Sequence, residues 1–71
     1  MKVIWKGGKY NCYRARVAWI EITCSWWESS YKVSTNIGQL EDKFESLDSA
    51  AIGAEKYILK KVQELNDALA Q

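Results

Sequence analysis

One stripe of residues constrains this chain more than anything else in it. Leu47, Ala50, Ala51, Ala54, Ile58, Val62, Leu65 and Leu69 hold a 3.6-residue period, which predicts one long amphipathic helix. Ser46 or Asp48 is placed to cap its N-terminus, and Asp48 also suits the positive end of the helix dipole. Lys60 and Glu64 sit at i,i+4 and form an expected pair. A helix from Leu47 to Ala70 is about 36 Å long. Its small residues Ala50, Ala51, Gly53 and Ala54 allow the first turns to lie close against a neighbour. Residues 1–45 must supply that neighbour.

Those residues read as β-structure. Lys2 to Lys6 is a short strand candidate, followed by the turn-forming pair Gly7-Gly8. Tyr13, Ala15, Val17 and Trp19 alternate on one parity, whereas Ile20, Ile22, Cys24 and Trp26 alternate on the other. The phase slip at Trp19–Ile20 signals a bulge or a break between two strands. Glu28-Ser29-Ser30 reads as a hairpin loop, after which Tyr31, Val33 and Thr35 alternate again. Asn36-Ile37-Gly38 is a turn signal, and Leu40 to Phe44 is a last short strand candidate. Ala15, Ala18, Trp19, Ile22 and Trp26 also fit helical spacing, but the density of Val17, Ile20, Ile22 and Thr23 favours strand.

The expected fold is therefore α+β: a small antiparallel meander of three to four strands, then one long C-terminal helix packed on one face. A chain of 71 residues has room for a single domain, mainly β over 1–45 and helical over 46–70. Such a chain builds a thin core, and its four tryptophans are the large side chains available to fill it. One helix covers one face of a sheet, leaving the other to water or a partner.

Several function classes drop out. With no histidine, the commonest general base is missing and no Ser-His or Cys-His nucleophile pair exists. Gly7-Gly8 matches no phosphate-binding loop, and the carboxylates Glu41, Asp42 and Glu45 read as a solvated edge. No catalytic residue, metal or cofactor is expected, and the chain reads as a non-enzyme. Cys12 and Cys24, twelve positions apart, read as half-buried free thiols. No apolar run is long enough to span a bilayer and no signal segment is evident, so no membrane partner is expected and a cytoplasmic location is.

What remains is an asymmetry. Residues 1–36 carry Lys2, Lys6, Lys9, Arg14, Arg16 and Lys32 against Glu21 and Glu28, and residues 37–71 carry four lysines against seven acids. All four tryptophans lie in the basic part. Adjacent Trp26 and Trp27 must point to opposite sheet faces if both are in a strand. The first reading is a protein-interaction module, an inhibitor or regulator of the kind phages and other mobile elements carry. It binds a larger protein through Trp19, Trp26, Trp27, Tyr31, Arg14 and Arg16, residue types that concentrate binding energy at interfaces. The alternative is a nucleic-acid-binding sheet using Lys6, Lys9, Arg14 and Arg16. Ile52 and Leu59, off the main stripe with Lys56 between them, are a candidate self-association patch for a homodimer.

Strands followed by Phe44-Glu45-Ser46-Leu47-Asp48-Ser49-Ala50-Ala51 and an alanine-rich helix resemble the three-strand-plus-helix DNA-binding domains of plant ethylene-response factors. The arm-binding ends of phage integrases are built similarly, and Tyr10-Asn11-Cys12-Tyr13-Arg14 is similar to their first strand. The resemblance implies a sheet that enters the DNA major groove, with Arg14 and Arg16 as readers.

Overall fold

The computed structural model describes residues 2–70. Met1 and Gln71, which the single-domain reading includes, lie outside the described residues. Five antiparallel strands form a meander in sequence order: β1 (Lys6–Gly7), β2 (Cys12–Val17), β3 (Ile20–Trp27), β4 (Ser30–Thr35) and β5 (Gly38–Gln39). A short 3-10 turn, Lys9–Asn11, joins β1 to β2, and the helix α1 runs from Leu47 to Leu69. The α+β architecture is as the periodicities require, with two minimal strands added at the margins.

The phase slip marks a break between strands. Val17 pairs with Ile20 across a two-residue turn whose first position, Ala18, has φ 55°. The next hairpin is equally tight. Trp27 pairs with Ser30, so the loop is Glu28–Ser29 alone, both at positive φ as a twist-matched turn demands. Ser30, expected in that loop, is instead the first and buried residue of β4, its hydroxyl donating to the Trp27 carbonyl at 3.2 Å.

Two expected strands are only partly formed. Between Lys2 and Lys6 only Lys6 pairs, opposite Arg14. After β5 the chain bulges outward through exposed Glu41, Asp42 and Lys43, then returns at Phe44, which exchanges both backbone hydrogen bonds with Tyr31. Three consecutive charged residues are better solvated outside the ladder than within it.

Ser46 caps the helix. It accepts from the Ser49 amide while the Ser49 hydroxyl accepts from the Ser46 amide, a reciprocal box that leaves Asp48 as a first-turn acid. The ion pair on the helix is Lys61–Glu64 at 3.4 Å, an i,i+3 contact, and not Lys60–Glu64. The Lys61 ammonium also lies 5.5 Å from the centroid of the Tyr57 ring.

The core is aliphatic. Val3, Ala15, Ile20, Ile22, Cys24, Val33 and Leu40 meet Ala50, Ala54 and Ile58 of the helix. The expectation that indoles fill the core is corrected here: no tryptophan is among its buried residues. Ala50 and Ala54 are wholly buried, so the helix backbone rides close above the sheet there, and the rings of Trp5, Tyr13, Tyr31, Phe44 and Tyr57 pack partly buried around that contact. Trp5 is half-buried and ties the N-terminal segment to the helix, its Nε1 donating to the Leu47 carbonyl at 3.0 Å. Gly53 faces the Phe44 ring so closely that a Cβ there would lie inside van der Waals contact.

The helix outruns the sheet. Twenty-three residues span about 34 Å, whereas the strands beneath hold eight residues at most. The molecule is accordingly elongated, 43 × 21 × 17 Å. No helix among the described residues is long and apolar enough to cross a membrane.

Candidate binding face of the sheet

Strand alternation sorts the side chains. Ala15, Ile22, Cys24 and Val33 point toward the helix, so Cys12, Arg14, Arg16, Thr23, Ser25, Lys32 and Ser34 point away from it. Register then aligns these into rows. One row crosses all five strands as Lys6, Arg14, Thr23, Ser34 and Gln39. A second runs Cys12, Ser25, Lys32, and a third pairs Arg16 with Glu21. The open face is thus basic at one side, hydroxyl-lined through the middle, and carries a single carboxylate in these rows.

Two shallow depressions join on the basic side. One is bordered by Lys2, Ile4, Lys6, Arg14, Arg16 and Glu21, the other by Lys6, Lys9, Tyr10, Cys12 and Arg14. They share Lys6 and Arg14, making one continuous strip. None of its cations is in an ion pair among the described residues. An unpaired surface cation keeps its full charge available to a ligand.

The loop at the end of the strip is held in unusual backbone geometry. Gly7 and Gly8 have φ 94° and 118°, and Tyr10 and Asn11 both have φ 56°. Left-handed backbone is unusual for a bulky residue such as tyrosine. Hydrogen bonds from Gly8 N–H to the Cys12 carbonyl (2.9 Å) and from Asn11 N–H to the Gly8 carbonyl (3.2 Å) fix this turn. The result is a Tyr10 ring that is 89% exposed, with the Lys9 ammonium 5.4 Å from its centroid.

The residues expected to form one aromatic-basic surface do not come together. Trp19 is 64% exposed in the β2–β3 turn. Trp26 and Tyr31 pair across β3 and β4 on the helix side of the sheet, their rings edge-on at 4.7 Å, and Tyr13 meets Tyr31 at 6.3 Å. Trp27 points to the open face at the far end of β3 and is 62% exposed. Trp26 and Trp27 therefore straddle one end of the sheet while Trp19 marks the other. Lys6, Lys9, Arg14 and Arg16 do share the strip. Ile52 and Leu59 are both exposed but lie off the stripe that packs on the sheet.

Sequence reasoning missed Tyr10, Lys2 and Lys32 as members of this face, and Asn36 as its organiser. Lys32 was recoverable from parity, because Val33 points inward. Asn36 was not. Its side chain accepts from the Glu21 amide and donates to the Trp19 carbonyl, each at 3.1 Å, clamping the β2–β3 turn across fifteen or more residues of sequence. Cys12 and Cys24 are both free thiols and project to opposite faces. Burial, with nearby Cys12 contributing second, pushes the Cys24 thiol up to about 11. No protein-family model, curated protein or solved structure is significantly similar to this chain.

Proposed function

We propose that the open face of the sheet binds nucleic acid, with duplex DNA as the substrate its shape fits best. The observation that carries this reading is the continuous strip of Lys2, Lys6, Lys9, Arg14 and Arg16, unpaired and grading into hydroxyl and amide side chains. Cations fix a protein on phosphates, and short polar side chains contact base edges without blocking approach. Strands β2 and β3 carry Arg14, Arg16 and Thr23 on this face, and strands are among the elements that read the major groove. Most carboxylates of the chain lie beyond residue 40, off the strands that form this face, so the near-neutral total charge conceals a polarised molecule. Tyr10, exposed beside Lys9, offers a ring for stacking at the strip's end.

The test is binding to a labelled duplex, followed by fluorescence anisotropy at two salt concentrations. If about five phosphates are neutralised, affinity falls roughly 500-fold between 50 and 200 mM salt. Arg14→Ala and Arg16→Ala each weaken binding about tenfold or more without changing the melting temperature. A response flat in salt, or binding by both variants as tight as that of the unaltered chain, removes this reading.

A second reading, a protein partner, has its own observation. Trp26 with Tyr31 on one face and Trp27 on the other stand at one end of the sheet, with Trp27 62% and Trp26 40% exposed. Exposed indoles grouped in this way suit an interface anchor. Trp27→Ala separates the two readings: it abolishes capture of a protein partner but leaves salt-dependent DNA binding intact.

A further inference from the structure

We infer that the end of the open face bearing Tyr10 and Trp27 holds unpaired bases, so that a duplex ending in a single-stranded tail is a better ligand than a blunt one. The inference rests on the nucleic-acid reading of the basic strip and adds to it the class of substrate. The two rings reach the same end of the face by different routes. Cys12 pairs with Ser25, and Trp27 stands two positions beyond Ser25 in the same strand, on the same parity and hence the same face. Tyr10 stands two positions before Cys12, and its ring borders the depression lined by Lys6, Cys12 and Arg14. Left-handed backbone at Tyr10 turns the chain out of the ladder there and leaves that ring exposed.

Each ring has its own cation. The Lys9 ammonium lies 5.4 Å from the Tyr10 centroid. Trp27 pairs with Ser30, which makes Lys32 its diagonal neighbour on β4, about 7–8 Å away and within reach of a long side chain. Neither Tyr10 nor Trp27 has an aromatic partner among the described residues, whereas Trp26 and Tyr31 on the helix side pack edge-on against each other. A nucleotide offers a flat π face joined to a phosphate, and a ring beside an ammonium answers both parts. Within a duplex each base is already covered by its neighbours in the stack, so only an unpaired base can lie on such a ring. A protein anchor is instead bordered by apolar contacts that exclude water. The rows at this end, Cys12–Ser25–Lys32 and Trp27–Ser30, hold no aliphatic side chain.

The test is fluorescence anisotropy of the full chain with a duplex of about 16 base pairs, either blunt or carrying a tail of about four thymidines at the 5′ or the 3′ end. One polarity of tail is expected to tighten binding about tenfold over the blunt duplex. A tail of abasic sites carries the same phosphates without bases, and should gain about threefold at most. Trp27→Ala removes the advantage of the thymidine tail while its affinity for the blunt duplex and its melting temperature stay unchanged, because the indole is exposed. Trp27→Phe, which retains a ring, keeps most of the advantage, and Tyr10→Ala loses it. An abasic tail as effective as thymidine, or a tail advantage that persists in Trp27→Ala, overturns the inference. Salt-dependent binding of the blunt duplex with no gain from either tail also overturns it, and leaves the reading of the strip standing. Failure to bind any of these DNAs overturns that reading and this inference with it.

Discussion

Glycine inside a helix is usually a defect that alanine repairs, by about 0.8–1 kcal/mol. Gly53 is expected to behave in the opposite way. It sits in the second turn of α1 with the Phe44 ring laid against its Cα, and a Cβ would enter the space of Cε1 and Cζ. Phe44 cannot simply swing aside as a unit, because its backbone is bonded to Tyr31 through both N–H and carbonyl, at 3.0 and 2.8 Å. The ring must rotate outward, losing the half-burial it has. That forfeits about 1 kcal/mol of transfer energy, and crowding at a packed contact adds roughly another 1. Set against the propensity gain, Gly53→Ala should destabilise the domain by about 1 kcal/mol and lower its melting temperature by roughly 4–8 °C. In a Phe44→Ala background the obstacle is gone, so the same substitution should stabilise by about 0.8–1 kcal/mol. The coupling between the two sites is then about 2 kcal/mol, well outside the error of a double-mutant cycle measured by urea unfolding with helical circular dichroism. If Gly53→Ala raises stability equally in both backgrounds, the packing argument is wrong.

Two other perturbations act elsewhere in the molecule. Asn36→Ala removes both side-chain bonds to the β2–β3 turn, and should cost about 1 kcal/mol locally, seen as roughly fivefold faster hydrogen exchange at the Glu21 amide while amides of Ile22–Trp26 keep their protection. For Cys24 the folded-state value near 11 lies above the ordinary 9.0, so folding disfavours the thiolate. Below pH 9 both states hold the proton and nothing is lost; from pH 9 to 11 the unfolded chain ionises first and stability falls by up to about 2–3 kcal/mol. Cys24→Ala should flatten that alkaline limb of the melting-temperature profile, and at pH 8 an alkylating reagent should label Cys12 and spare Cys24 in the folded protein.

The sequence exposed the parts of this fold that depend on local chemistry. Parity grouped Ala15 with Tyr13 and Val17, and Cys24 with Ile20 and Ile22; the slip at Trp19–Ile20 left a bulge or a strand break open, and it is a break because a two-residue loop reverses which face each position addresses. The helix and its serine cap are equally local. The tryptophans were misread for the reverse reason. Composition says only that indoles favour burial, but the buried centre is filled by Ala50, Ala54, Ile58 and the strand aliphatics, with Trp5 only partly buried at its margin, an arrangement visible only after packing. The basic strip was half legible: Arg14 and Arg16 share parity, whereas Lys9 and Tyr10 join them through a left-handed loop that no periodicity encodes. Asn36 works across the sheet, and a turn-forming residue type gave no hint of that reach.

The two marginal strands have a consequence for how this protein behaves in a crowded solution. Strand β3 is paired on both sides, whereas the outer edges of β2 and β4 are capped over two residues each by Lys6–Gly7 and Gly38–Gln39, the sheet's outermost strands, with Phe44 bridging Tyr31. A rim this short, with a lysine at one side and glycines at both, offers a passing strand almost nothing to extend. The chain can therefore keep exposed indoles and a bare helical stripe without also inviting edge-to-edge aggregation. Lengthening either rim strand with β-branched residues would remove that protection before it changed the fold.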